Sequence, residues 1–459
     1  MFRQVLLVAA AAAMSLGAAV PAAHATTVPA PGRPTSVTAR PGPGAGQVTF
    51  SWRSDGSHTT GFRIETGLSS FSPYSPGLPL HGRHTHYFYV KPERRSVTLT
   101  ASQLAAAGAP VGSANHLYYR LVAINRTSSG VAVRDWPYLQ SVAVQPPAAP
   151  RTGTPLRVAS FNVRTATNNT PGRTWLQRVP LIAQRIMAYH PGVVTLQELD
   201  AGRADGLIGP LTGHVRQTTS LVNALAAQGG GRYRLVRTTR YTAPYVPTGQ
   251  QGARILYDTD KYRLVSRCSD TTNGAAWSSS CVIAPPVLAG EANARRWAAY
   301  AVLEDRATGK RFYVVSVHLD PRHSSTLATE QQYEQLRESQ VSAVMSRINA
   351  LNSVHLPVVL AGDLNSAQNS RGGDRAHDAL VAAGYFDTAA AATRVRTRYM
   401  TFNNFSTTLR LPASGWGNRI DAITVKGIHA ANGFNNVMRV TDANRPSDHN
   451  MVVADVRLP

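Results

Sequence analysis

Short apolar runs that end in a polar residue recur from residue 155 to the end of this 459-residue chain. Runs of Val, Leu, Ile and Ala of this length predict buried strands. A single polar residue after such a strand is ordinarily a turn or cap residue, since Asp and Asn favour those positions. Six such places in succession indicate instead that the strands carry polar side chains into one cleft. The polar residues are Asn162, Glu198, His318, Asp363 with Asn365, Asp421, and Asp448 with His449.

The apolar pattern divides the chain into two parts. Residues 33–147 contain about seven short, alternating apolar runs separated by turn residues, which is typical of a β-sandwich. The residues 148–155, rich in Pro, Ala and Thr, are the predicted linker. For 156–459 we predict an α+β fold around one large core. Its predicted strands are 156–161, 192–196, 254–257, 298–303, 312–317, 358–361, 420–426 and 451–456, and its predicted amphipathic helices are 174–190 and 329–351.

Residues 1–25 have the pattern of a secretory signal peptide, with Arg3, a short Ala-rich apolar run and a small-x-small site at the end. We therefore expect a secreted, extracellular protein. No later apolar run reaches the roughly 18 residues that a membrane-spanning helix needs, so no transmembrane segment is expected. In an exported chain the closely spaced pair Cys268 and Cys281 is most simply one disulfide that closes a surface loop.

The charge balance is strongly basic, with 47 Lys and Arg against 25 Asp and Glu and a net charge of +22. Such an excess favours polyanionic partners, nucleic acid or anionic lipid, because phosphate contacts release counterions. A compositional habit of the source would produce the same excess. Charge alone therefore leaves the partner open.

The polar residues at the strand ends stand inside six segments that resemble the signature blocks of the endonuclease/exonuclease/phosphatase (DNase I-like) superfamily, over residues about 155–459. The segments are Arg-Val-Ala-Ser-Phe-Asn-Val, Val-Val-Thr-Leu-Gln-Glu, Val-His-Leu-Asp, Leu-Ala-Gly-Asp-Leu-Asn-Ser, Asn-Arg-Ile-Asp-Ala-Ile and Ser-Asp-His-Asn. The resemblance implies a four-layer α/β sandwich, two packed sheets flanked by helices, with a Mg²⁺-dependent phosphoesterase site at one edge. The preceding part, with Trp52 in an early strand and the run Tyr-Tyr-Arg-Leu-Val-Ala-Ile-Asn, resembles a fibronectin type III domain.

Cleavage of a phosphate ester needs an activated water, stabilisation of an anionic transition state and neutralisation of the leaving oxygen. Glu198 is the leading candidate metal ligand, because a carboxylate suits Mg²⁺. Asn162 is expected beside it, and Asp448 is expected on the same or a second ion. Oxygen ligands of this kind also accept Mn²⁺ or Ca²⁺.

His449 is the candidate general base, and Asp421 is the candidate carboxylate that orients it. Asp363 and Asn365, two positions apart, are expected on one face of an extended segment, where Asp363 aligns the attacking water and Asn365 donates to a phosphate oxygen. His318 is expected to donate to the phosphate or to the leaving oxygen, as the second histidine of the family does.

In DNase I-like nucleases that second histidine has a glutamate partner, and the interval 238–257, where it is expected, contains no Glu. The site predicted for this chain therefore departs from the family pattern, because His318 has no candidate glutamate partner in that interval.

We expect a monomeric metal-dependent phosphodiesterase, with extracellular DNA or RNA as first choice of substrate. A secreted sphingomyelinase of the phospholipase C type and a sugar or inositol phosphate phosphatase are the alternatives within the same superfamily. A binding protein with an inactive site is the alternative from another class. Turnover that is lost on replacing His449 distinguishes an enzyme from that binding protein.

Overall fold

The computed structural model describes sixteen stretches of the chain, and all structural statements below refer to them. The predicted signal peptide and residues 148–151 of the predicted linker lie outside the described residues. The described residues are 27–67, 86–106, 116–135, 140–144, 152–167, 173–200, 202–236, 252–266, 268, 270–271, 281–290, 296–367, 372–391, 393–411, 417–428 and 431–459.

The N-terminal region consists of two antiparallel sheets. One sheet has the order β1-β2-β5, and the other has the order β4-β3-β6-β7, with β8 also paired to β6. Apolar side chains from both sheets, among them Phe50, Trp52 and Phe62, form one buried core. β7 is not predicted by the sequence pattern, since it is short and only partly buried. The elements are β1 (Thr35–Pro41), β2 (Val48–Arg53), β3 (Gly61–Gly67), β4 (His86–Val90), β5 (Ser96–Leu99), α1 (Ala101–Ala106), β6 (His116–Thr127), β7 (Gly130–Asp135) and β8 (Gln140–Ala143).

The second region begins with β9 at Thr154, and its strands form two mixed sheets. The first half of the region contains β9 (Thr154–Asn162), α2 (Trp175–Tyr189), β10 (Val193–Gln197), α3 (Gln217–Ala227), β11 (Tyr233–Val236), β12 (Arg254–Asp258), β13 (Tyr262–Leu264), β14 (Asp270–Thr271) and β15 (Val282–Ile283). The second half contains β16 (Ala298–Asp305), β17 (Arg311–His318), α4 (Leu327–Leu351), β18 (Val358–Asp363), α5 (Arg375–Ala382), β19 (Phe386–Asp387), a 3-10 turn (Thr388–Ala390), β20 (Thr393–Val395), β21 (Asp421–Lys426), β22 (Ala431–Val437) and β23 (Met451–Leu458).

These elements stack in four layers, as expected for an α/β sandwich. The first sheet has the order β14-β11-β12-β10-β9-β23-β22-β20, and the second has the order β13-β16-β17-β18-β21-β19 with β15 beside β16. One apolar cluster joins the facing sides of the two sheets and continues to α4 and α5. A second cluster packs α2 and α3 against the other side of the first sheet. All predicted strands and both predicted helices of this region are present.

The two regions meet where Tyr118 of β6 is buried against the start of α5. The Tyr118 hydroxyl lies 3.3 Å from Nδ1 of His377 and 3.4 Å from Oδ2 of Asp374. Nε2 of His377 lies 2.9 Å from Oδ2 of Asp387, and Arg419 donates to the same Asp387 oxygen at 2.6 Å. Tyr118 and His377 are 0% and 2% exposed, so this polar contact lies in the interior.

Cys268 and Cys281 are paired in the structure, as predicted, with Cα atoms 5.6 Å apart. Both side chains are buried against the strands of the second sheet, in the same apolar cluster as Tyr300. In the described part of the chain, no helix combines the length and the apolar character needed to cross a bilayer.

Candidate active site

Strand register brings three of the predicted site residues into one row. In the second sheet β17 pairs with β18 in parallel, so that His318 lies beside Asp363. β18 pairs with β21 in antiparallel fashion, so that Asp363 lies beside Asp421. Paired residues of neighbouring strands project to the same face of a sheet. His318, Asp363 and Asp421 therefore occupy adjacent positions at one edge, although they are separated by 45 and 58 residues in the chain.

The glycine before Asp363 makes this row possible. A Cβ atom at Gly362 would collide with the carbonyl group of Val317, the residue before His318. Beyond Asp363 the chain turns at Asn365, whose φ of +49° is in the left-handed region. Asp363 Oδ1 accepts the Asn365 backbone N–H at 2.9 Å, and the Asn365 amide donates to the carbonyl of Leu319 at 3.1 Å. The Gly-Asp-Leu-Asn segment thus holds the loop after His318, and the predicted phosphate contact of Asn365 stays a prediction.

The first sheet contributes Asn162 and Glu198 from the ends of neighbouring parallel strands. Asn162 ends β9 beside Gln197, which ends β10, and Glu198 follows with φ +57°. Nδ2 of Asn162 donates to Oε1 of Glu198 at 3.3 Å and to Oδ2 of Asp363 at 3.0 Å. Oε2 of Glu198 accepts the backbone N–H of Thr165 at 3.0 Å. Asn162 therefore links the acidic groups of the two sheets.

Asp448 and His449 lie just before β23 and complete the cluster. Nδ1 of His449 lies 2.9 Å from Oδ2 of Asp421, and its Nε2 lies 3.7 Å from Oδ2 of Asp363. Asp448 forms an ion pair with Arg164. Ser447 donates to the carbonyl of Asn162 at 2.7 Å, which fixes this loop against the end of β9. All eight predicted catalytic and metal-binding residues thus lie in one connected cluster.

Oδ2 of Asp363 is the focus of the cluster. Besides the Asn162 amide, Nε2 of His318 approaches this oxygen at 3.6 Å. Burial raises the pKa of Asp363 to about 7, with Asp421 acting in the same direction and His449 opposing. Burial acts to lower the pKa of His449, but the negative charges of Asp421 and Asp363 outweigh it and raise the value to about 10. Burial and the neighbouring Arg296 hold the pKa of His318 well below its ordinary value.

Three arginines that the sequence analysis did not single out support this cluster. Arg178 of α2 donates to the carbonyls of Val163 at 2.6 Å and of Pro446 at 3.1 Å, and thus ties the loops that follow β9 and precede β23. Arg164 pairs with Asp448. Nη1 of Arg296 lies 3.4 Å from Nδ1 of His318. Arg164 directly follows the quoted segment that ends at Val163, whereas no sequence pattern marks Arg178 or Arg296.

Thr401 is a further residue of the site that the sequence analysis did not single out. Its hydroxyl accepts the backbone N–H groups of Ile420 and Asp421, both at 3.1 Å, and its carbonyl accepts that of Asn450 at 2.8 Å. Thr401 therefore holds the start of β21 against the loop of His449.

Two groups of side chains have the chemistry of a cation site. Ligand atoms of Asp363, Asp421 and His449 lie within 4.8 Å of one another. His449 and Asp421 are hydrogen-bonded to each other, however, which is the arrangement of a base and its orienting carboxylate. The alternative group is Glu198, Asn162 and Asp448, whose oxygens are the hard donors that Mg²⁺ prefers. The amide oxygen of Asn162 accepts the backbone N–H of Arg164 at 3.1 Å, which leaves it one further lone pair for a cation. Glu198 is half-buried, so its carboxylate is open to the cleft.

The two facing mixed sheets and the acidic and histidine side chains at one end define a hydrolase of the α/β-sandwich class. The chain belongs to the Endonuclease/Exonuclease/phosphatase family, whose model matches residues 159–449. Members of this family are phosphoric ester hydrolases, so the chain belongs to the phosphoesterase class of enzymes. No curated protein matches the chain.

Several solved structures are similar to this chain. An endonuclease/exonuclease/phosphatase family protein from Bacteroides thetaiotaomicron is 22% identical, with 67% of this chain and 96% of that chain covered and a TM-score of 0.49. A mannosyl-6-phosphatase from the same species is 21% identical, with 66% and 99% covered and a TM-score of 0.46. The human Nocturnin catalytic domain is 15% identical, with 67% and 94% covered and a TM-score of 0.43.

Proposed function

We propose that the protein is a secreted, metal-dependent phosphodiesterase that hydrolyses extracellular DNA or RNA. The observation that carries the proposal is the pair of histidines on either side of Asp363, of which His449 is backed by Asp421 at 2.9 Å. A histidine held by a carboxylate through Nδ1 presents Nε2 as a base. We assign the second histidine, His318, to an oxygen of the phosphate.

In the proposed reaction, the neutral form of His449, which carries its proton on Nδ1, takes a proton through Nε2 from a water molecule that Asp363 aligns. The oxygen of that water attacks phosphorus, and the bond from phosphorus to the leaving oxygen breaks as the new bond forms. His318 donates a hydrogen bond to a phosphate oxygen, where negative charge increases in the transition state. The leaving alkoxide takes a proton from solvent or from the site, and the products are an alcohol and a phosphate monoester.

A divalent cation, Mg²⁺ by preference and Mn²⁺ or Ca²⁺ as alternatives, would be held by Glu198 and Asp448 with the amide oxygen of Asn162. When bound, it supplies positive charge that polarises the phosphate and stabilises the transition state. Arg164 already neutralises Asp448 in part and is positioned to exchange this partner for a phosphate oxygen.

Basic side chains beside the cluster support a polyanionic substrate. The guanidinium groups of Arg173, Arg164 and Arg178 lie 5.0, 5.7 and 5.8 Å from the ring centre of Phe405. Arg164 and Arg173 are only half-buried, whereas Arg178 is buried. These two accessible cations at the Asp448 end suit the phosphates that flank a scissile bond in a nucleic acid.

The proposal is tested with the purified chain on supercoiled plasmid and on single-stranded RNA, with Mg²⁺ or with chelator. Metal-dependent cleavage is expected, with a loss of at least about 100-fold in His449→Ala, since general-base catalysis contributes about 10²–10⁴. His355→Ala is the matched control, because His355 is exposed and lies outside the cluster. Absence of cleavage, together with turnover of sphingomyelin vesicles or of soluble sugar phosphates, would replace the nuclease by one of the alternative hydrolases.

We also propose that residues 1–25 are removed on export and that residues 33–147 form a fibronectin type III-like module. The two antiparallel sheets around Trp52 support the second proposal. Export is tested by mass spectrometry of the protein recovered from the culture medium. If residues 1–25 are removed, the mature chain begins at Thr26. Retention of the intact chain inside the cell would refute it.

A further inference from the structure

His318 lies between a cation and an anion. It ends β17 and is 3% exposed. On one side, its Nδ1 atom is 3.4 Å from Nη1 of Arg296, which stands just before β16. On the other side, its Nε2 atom is 3.6 Å from Oδ2 of Asp363. A guanidinium group therefore faces one ring nitrogen of His318, and a carboxyl group faces the other.

The identity of that neighbour fixes the direction of the hydrogen bonds. A guanidinium group has five N–H donors and no acceptor. The Nδ1 atom of His318 must therefore accept, and the proton of the neutral ring is on Nε2. Oδ2 of Asp363 lies 3.6 Å from Nε2, beyond hydrogen-bond distance, and the negative charge of this carboxylate favours a proton on that nitrogen. Both neighbours thus favour the tautomer with its proton on Nε2. In the other tautomer, the N–H of Nδ1 would point at an N–H of Arg296, and the lone pair of Nε2 would point at the carboxylate of Asp363.

His449 has a neighbour of the opposite kind. Its Nδ1 atom faces Asp421, which can only accept when ionised, so the proton at that end is on Nδ1. A carboxylate behind a histidine favours the uptake of a second proton by the ring, whereas a guanidinium group in the same place opposes it. The two histidines around Asp363 are therefore built for different tasks.

We propose that Arg296 is a positioning residue that holds the proton of His318 on Nε2, so that His318 acts as a fixed hydrogen-bond donor to the phosphate and not as a proton-transferring acid. Burial lowers the pKa of the Arg296 guanidinium, and the negative charges of Glu198, Asp320 and Asp363 oppose this and favour its charged form. The role assigned to His318 in the reaction rests on the proposed phosphodiesterase function. The tautomer of His318 and its dependence on Arg296 are independent of that proposed function.

The test reads the tautomer directly, in the full mature chain without substrate or metal. Long-range proton–nitrogen NMR spectra of protein labelled with ¹⁵N-histidine distinguish a ring with its proton on Nε2 from one with its proton on Nδ1. The full sequence has 14 histidines, of which His24 lies in the predicted signal peptide, and the His318 signals are identified by their loss in His318→Gln. We expect the proton on Nε2 in the wild-type protein, and a proton on Nδ1 would overturn the proposal before any variant of Arg296 is made.

Variants then test the part played by Arg296. Arg296→Met is expected to give a mixture of the two His318 tautomers, and Arg296→Lys, which keeps a donor, is expected to keep the wild-type pattern. Arg322→Met is the matched control, because it removes a nearby cation whose guanidinium pairs with Asp320 at 2.8 Å. The proposal fails if Arg296→Met leaves the tautomer unchanged, or if the control shifts it equally.

Activity provides a second readout. Arg296→Met is expected to lower kcat by about 10- to 100-fold, as loss of an orienting partner does, and to change KM less. Arg296→Lys should recover part of that loss, and unfolding curves should show that both variants are folded. A wild-type tautomer on Nε2 in a chain that cleaves no nucleic acid would refute the proposed substrate and leave the role of Arg296 intact.

Discussion

Arg337 of α4 offers the sharpest test of how the second region is held together. Its side chain is 0% exposed. It donates to the carbonyls of Asp320 at 3.1 Å and Arg322 at 2.7 Å, in the loop that follows His318. It also donates to the carboxylates of Glu330 at 3.0 Å and Glu334 at 2.8 Å. Arg337→Met keeps the length of the side chain and removes all four hydrogen bonds.

The expected loss follows from the two carboxylates that remain. Removing one partner of a buried ion pair costs about 3–5 kcal/mol, because the other charge is left without compensation. We expect about 4 kcal/mol here, a large part of the roughly 5–15 kcal/mol that stabilises a typical protein. A region of about 300 residues unfolds with an entropy of about 0.6 kcal/mol per kelvin, so the Tm should fall by about 6 °C.

The loss should depend on pH in a direction that the structure specifies. Burial raises the pKa of Glu334, and the charge of Arg337 opposes that shift. Without Arg337, the pKa of Glu334 in the folded state rises further. A carboxyl group whose pKa is higher in the folded than in the unfolded state loses stability as the pH rises through the folded value. The difference in unfolding free energy between Arg337→Met and wild type should therefore be smaller at pH 4 than at pH 8.

Chemical unfolding of both proteins at these two pH values provides the measurement. Arg375→Met is the matched control, since Arg375 pairs at 3.1 Å with Glu338 and both side chains are more than a third exposed. That pair should contribute no more than about 0.5 kcal/mol. Addition of Glu334→Gln to Arg337→Met should restore part of the loss. A loss below about 1 kcal/mol, or one that is equal at both pH values, would refute the reasoning.

Three further changes probe the strand register, the base and the contact between regions. Gly362→Ala forces β17 and β18 apart and should cost about 1–3 kcal/mol and most of the activity; unfolding curves and the plasmid assay check this, and wild-type values for both would contradict it. Asp421→Asn should lower kcat by about 10²–10⁴ without unfolding the chain, since His449 loses its charged partner; plasmid cleavage at the wild-type rate would remove Asp421 from the site. Tyr118→Phe deletes a buried hydroxyl and should lower the unfolding free energy by about 1 kcal/mol; an unchanged midpoint in denaturant would mean that this contact contributes nothing.

The elements that the sequence predicted well are those with a strong local burial pattern. The run at 358–361 lies within β18, all of whose residues are buried, and the run at 156–161 lies within β9, where Arg157 is the one exposed residue of the run. α3 and β22 were missed. α3 begins with polar Gln217 and Thr218, both of which are buried, and β22 contains three Asn residues. Their apolar pattern is weak, and it is tertiary packing that makes them regular.

The sequence by itself determined which polar residues stand at the ends of buried strands, since that depends on a few neighbouring positions. Only the tertiary structure decided how they combine. The register of three strands sets His318, Asp363 and Asp421 in one row, and this register results from pairing between distant segments. In the same way, Arg296 becomes the neighbour of His318 across 22 positions of the chain. Hydrogen-bond direction at a histidine depends on which group faces each nitrogen, and that is a property of the folded arrangement.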